Sequence, residues 1–184
     1  FTGSDVAMTT GFEKEFGPTK TTSLDKSFRF NNQICDVASQ FVMRNPAQVR
    51  KELTTHDVVS QPAVSLMRRA LQDDGQVNEL EEVLQSISAR TKGEATVYVL
   101  ARFRFRLPEK GQLRQLERQF PKLKLDGLTF HASKGKEADF VIVVGLDSGR
   151  HGFPSTKETH PLLEALLPPL EPFEFEEARR LFYV

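Results

Sequence analysis

The 184-residue chain has a single cysteine, Cys35. This excludes an internal disulfide framework and fits a reducing compartment. It also has no net charge, because 25 basic side chains balance 25 acidic ones. Bulk electrostatics therefore argue for neither nucleic acid nor membrane, and only local clusters can carry such a claim. No apolar run approaches the roughly 18 residues of a spanning helix, and no charged-then-apolar leader opens the chain. The expectation is a soluble, cytoplasmic protein without a membrane partner. Several chemical signatures are missing too. There is no Gly-x-x-x-x-Gly-Lys-Ser/Thr phosphate loop, and the four histidines are scattered, without metal-ligand spacing. No serine stands in a nucleophile elbow. These absences speak against a free-standing hydrolase.

What is present centres on Leu128 to Leu146. Phe140 to Val144 is an unbroken apolar, mostly β-branched run, which predicts a strand buried on both faces. Just before it, His131 to Asp139 forms a compact polar loop, and such a loop feeding a buried strand is a common site location in α/β proteins. The length suits one domain with a real core. The chain opens on Phe1 and closes on Leu-Phe-Tyr-Val just after a helix start. Termini normally fray into solvent, so this pattern predicts a piece cut at both ends.

In order, Ser4 or Asp5 is expected to cap a short helix reaching Phe16, stopped by Gly17-Pro18. A strand is expected within Thr21 to Phe28. A helix capped by Asn31 or Asn32 follows, with Ile34, Val37, Ala38, Phe41 and Val42 on one stripe, ending at Asn45-Pro46. Val49 to Gln61 reads as a loop or linker, and Ala63 to Met67 as a short strand. Helices are expected over Val77 to Ile87, Glu109 to Phe120, Leu162 to Leu167 and from Glu174 onward. Ala95 to Ala101 and Leu123 to Phe130 read as strands. This alternation predicts an α/β fold with a mostly parallel sheet flanked by helices.

Thr129-Phe130-His131-Ala132-Ser133-Lys134-Gly135-Lys136-Glu137-Ala138-Asp139, followed by an apolar strand, resembles motif V of the UvrD/Rep-type superfamily 1 helicases. Leu24-Asp25-Lys26-Ser27-Phe28-Arg29 resembles motif IV. Phe1-Thr2-Gly3-Ser4 resembles the tail of motif III, and Glu176 to Val184 the opening of motif VI. The four segments stand in the family's order and cover the chain. The resemblance implies a RecA-like fold, with residues 1–184 forming one second motor domain (2A) truncated within motifs III and VI. It implies ATP as cofactor, with Mg2+ held by a first motor domain (1A) that lies outside these residues, and single-stranded DNA as partner. The implied activity is that of an ATP-dependent 3′ to 5′ DNA helicase. About twenty residues separate Arg106 from Leu128, too few for the large insertion many relatives carry ahead of motif V. The alternatives are a non-catalytic DNA- or protein-binding module, and the motor part of a helicase–nuclease.

The resemblance also assigns roles. Arg29 would be the arginine finger at the γ-phosphate and the catalytic residue. Phe28 would stack on adenine, the alternative being a core residue at a strand end. Glu137 would accept a hydrogen bond from the ribose, with Gly135 allowing close approach, unless Glu137 is a capping or solvated side chain. Thr129 and His131 would contact DNA, although a lone His is often only structural. Phe1 stands where relatives often stack a Trp on a base, and Thr2 departs from the Arg common there. Arg102 follows a strand end where relatives meet DNA. The run Arg102-Phe103-Arg104-Phe105-Arg106 fits a phosphate track and a half-exposed strand edge equally well. Lys136 replaces an apolar residue. Arg179 and Arg180 are expected to be structural, since the motif VI arginine lies further along. Cys35 is expected to be inert and partly buried.

Overall fold

The computed structural model describes residues 11–20, 22–46, 48, 52–67, 76–156, 173 and 175–183. The chain divides into two compact units, one of Phe1–Leu66 with Glu158–Val184 and the other of Met67–Lys157.

The second unit holds the sheet. Strands β3 (Ala95–Ala101), β4 (Leu123–Thr129) and β5 (Phe140–Val143) are parallel, in the order β4-β3-β5. In the central strand β3, alternate residues Ala95, Val97, Val99 and Ala101 are buried. This alternation gives the strand one core-facing side. Helices α3 (Gln76–Arg90) and α4 (Lys110–Gln119) supply Leu80, Leu84, Leu113 and Leu116 to the same core cluster, with Leu123 from β4. A capping box fixes the start of α4: Glu109 and Gln112 each bond the other's backbone N–H. The prediction of a mostly parallel α/β sheet flanked by helices holds. One detail differs. Among the described residues β5 is an edge strand with Val141 52% exposed, not a strand buried on both faces.

In the first unit, α1 (Phe12–Phe16) has Gly11 at its N-cap, without a side-chain cap bond, and ends at Gly17, whose φ of 88° suits glycine alone; Ser4 and Asp5, the expected capping residues, lie outside the described residues. Strands β1 (Lys26–Ser27) and β2 (Thr54–Thr55) pair in parallel. The segment read as a linker thus contributes a strand. Helix α2 (Asn32–Val42) is capped by Asn31, whose side chain accepts from the Ile34 N–H. Asn32 instead accepts from the Val59 N–H at 2.7 Å, tying the chain after β2 to the helix start. The buried side of α2 is centred on Cys35 and Val42, while Val37 is 49% exposed. Helix α6 (Glu176–Tyr183) packs on α2: Phe182 meets Phe41 edge-on at 5.4 Å, and the Arg179 guanidinium lies over the rings of Phe41 and Phe173. Ala63 to Met67 forms no strand, and Leu66 is 82% exposed; Pro62 removes a ladder donor just ahead of it. The helix expected over Leu162 to Leu167 lies outside the described residues. Among the described residues, no helix is long and apolar enough to cross a membrane.

Candidate functional site

Because β3, β4 and β5 run in parallel, their carboxyl ends share one edge of the sheet, the usual place for a site in such folds. Arg102 leaves the end of β3, and Thr129 ends β4, paired with Ala101. Thr129 caps a one-turn helix, α5 (Phe130–Ser133), its hydroxyl accepting from the Ala132 N–H at 3.3 Å. Phe130 is buried and meets Phe153 edge-on at 5.0 Å, which anchors the turn. His131 is left exposed on its outer side. The Arg102 guanidinium donates to it, with Nη1 3.1 Å from Nε2 and 3.4 Å from Nδ1. An arginine carries only donors, so the ring nitrogen accepts. Arg102, Thr129 and His131 are therefore brought together.

Beyond α5 the loop runs back across the sheet. Gly135 has a φ of 78°, and a side chain there would meet nothing within 4 Å, so the backbone is open to close approach from outside. Glu137 is exposed and does not cap α5, whose cap is Thr129. At the end of the loop, Asp139 Oδ2 accepts from both the N–H and the hydroxyl of Thr96, each at 2.8 Å. These bonds, the backbone N–H above all, hold the Asp139 carboxyl below its ordinary pKa. Thr96 sits near the start of β3 and Ala101 at its end. The loop thus spans about 16 Å of strand, at roughly 3.3 Å per residue. His131 stands at one end of it and Glu137 lies toward the other.

In the first unit, Phe28 and Arg29 follow β1. Phe28 is 69% exposed, so it is not a core residue. The β1–β2 register, Ser27 opposite Thr55, places His56 beside it. The two rings lie 5.2 Å apart, and Lys26 Nζ sits 5.5 Å from the Phe28 centroid. Arg29 is exposed, two positions ahead of the Asn31 cap, and its N–H donates to Ser27 Oγ at 3.4 Å. Phe1 lies outside the described residues.

Sequence reasoning missed three features, one in the first unit and two in the second. His56 fell in a presumed linker and carried no signal. Asp139 signalled only as a carboxylate ahead of a strand. The run Arg102 to Arg106 is neither extended nor an edge, because Arg104–Arg106 is a single 3-10 turn. That turn lays Phe103 against Phe105, with centroids 5.4 Å apart and planes 13° apart. Among the described residues no group of His, Cys, Asp and Glu could hold a metal ion.

Along all 184 residues the chain is 39% identical to DNA helicase IV of Escherichia coli (strain K12), and it spans 25% of that protein's length. No protein-family model matches the chain, and no solved structure does. The resemblance to UvrD/Rep-type helicases read from the four motif-like segments is thus matched by a DNA helicase across every residue of the chain.

Proposed function

We propose that residues 1–184 form the second RecA-like motor domain of an ATP-dependent 3′ to 5′ DNA helicase, contributing half of the ATP site and part of the single-stranded DNA track. The observation that carries this reading is the whole-length identity to a protein named a DNA helicase, with the motif V-like loop set among parallel strands. Each unit by itself carries residues suited to part of a nucleotide. In the first unit, Phe28 offers an exposed ring for the adenine, and Arg29 an exposed planar cation for the γ-phosphate. In the second, Gly135 leaves its backbone open and Glu137 offers an acceptor to the ribose. ATP supplies the phosphoryl group, and its Mg2+ is held by the first motor domain, since this chain carries no phosphate loop. Arg102, Thr129 and His131 lie where a single strand would cross the carboxyl ends of β3 and β4, and Phe1 would add a stacking ring. Binding and release of ATP would let the two motor domains grip the strand in turn.

The test is DNA-stimulated ATP hydrolysis by the full-length parent protein, wild type beside Arg29→Ala. Loss of an arginine finger lowers turnover by about 10³ to 10⁵, so a collapse on that scale is expected while DNA binding persists. If Arg29→Ala hydrolyses ATP like wild type, the nucleotide assignment is wrong. The non-catalytic binding module then becomes the better reading.

A further inference from the structure

We propose that Phe103, Phe105 and His151 form a nucleobase platform, on which the open face of Phe105 stacks one base of a single-stranded DNA. This rests on the helicase reading and extends its DNA track to residues that reading does not use.

An extended Arg-Phe-Arg-Phe-Arg segment would place its side chains alternately on two faces. Phe103 and Phe105, two positions apart, would share one of those faces, and the 3-10 turn that follows Phe103 closes them into a nearly parallel stack with centroids 5.4 Å apart. His151 stands perpendicular to both, 6.3 Å from Phe103 and 5.6 Å from Phe105. The loop carrying His151 is firmly built. Asp147 pairs with Arg106 at 3.2 Å, and its carbonyl accepts from the Phe153 N–H at 2.8 Å. Gly152 is buried so close to that carbonyl that a Cβ would collide with it. Phe153 in turn packs on Phe130, the residue next to His131.

The rings do not belong to the hydrophobic core, and Phe105 is 65% exposed. The other end of the stack continues into the proposed DNA contacts. Arg102 lies 5.9 Å from the Phe103 centroid and also reaches His131. An unbroken series therefore runs from His131 through Arg102, Phe103 and Phe105 to His151. Arg102, Arg104 and Arg150 flank the rings in sequence, and Asp147, the acid beside them, is already paired with Arg106. Aromatic faces set among cations suit a strand that presents bases and phosphates together. A protein partner would call for a broader apolar surface.

The experiment uses the full-length parent protein and fluorescently labelled oligothymidine, with affinity measured across a salt series. Phe105→Ala is expected to bind about ten-fold more weakly with an unchanged salt slope, because it removes a stack and no charge. Phe105→Trp restores the affinity, and Arg104→Ala flattens the slope by about 0.7. A strand carrying 2-aminopurine shows one position quenched by wild type and released by Phe105→Ala. If wild type binds but Phe105→Ala matches it in affinity and quenching, this inference falls and the helicase reading stands. If wild type does not bind single-stranded DNA at all, the helicase reading falls with it.

Discussion

Asp139 takes two hydrogen bonds from Thr96 and returns its own N–H to the Thr96 hydroxyl at 3.1 Å, closing a small ring of contacts between the loop and β3. Its carboxyl pKa is lowered in the fold, so the unfolded chain binds its proton more readily. The resulting stability is fully present above the ordinary carboxylate pKa of about 3.9 and is lost as pH falls through the lower folded value. Asp139→Ala is therefore expected to lower the melting temperature at pH 7 modestly. The gap to wild type should narrow in melts recorded progressively below about pH 4; a gap that stays constant would mean the charge is irrelevant. This contact was not legible in the sequence, because the partners are 43 positions apart. Gly135 was easier, since close approach of a loop calls for a residue without a side chain, whereas the Thr129 cap was not read and Phe130 was placed in the strand.

At the scale of elements, the second unit was read well. β3 has the expected bounds, and β4 and α4 agree to within a residue or so of theirs. Their periodicity is strong, and β3 has a partner on each side. Where pairing decided the outcome, pattern failed. The apolar run of Ala63 to Met67 found no ladder partner, while the polar pair Thr54–Thr55 found Lys26–Ser27. β5 reads as doubly buried because its residues are uniformly apolar, yet its place in the ladder leaves Val141 exposed. Substitutions should follow place, not composition. Leu84→Ala, at a side chain with no exposure, should cost about 2–5 kcal/mol. Val141→Ala should stay within about 0.5 kcal/mol. Denaturant unfolding of the two variants checks the contrast, and equal losses would place β5 in a core.

For the whole molecule, the absent phosphate loop sets the expectation. The 184-residue chain by itself should release no phosphate from ATP above background, with or without single-stranded DNA, in a phosphate-release assay. Turnover by this chain alone would overturn the half-site reading. The loop from His131 to Asp139 was legible as a candidate site because a polar segment ahead of a strand is a local signal. The aromatic surface around Phe105 was not, since the 3-10 turn that closes its ring stack and the histidine that meets it from a distant loop leave no local pattern.

The first unit is assembled from both ends of the chain, with all of the second unit spoken between them. Phe41 and Phe182, which meet edge-on, are separated by 182 − 41 = 141 positions. At a synthesis rate of about 5–20 residues per second, the apolar side of α2 leaves the ribosome roughly 7–28 s before α6 exists to cover it. In that interval the sheet of β3, β4 and β5 can complete itself, because its strands are contiguous in the nascent chain. Within these residues the unit begun first is thus the unit finished last, and its α2 face stays uncovered in the interval.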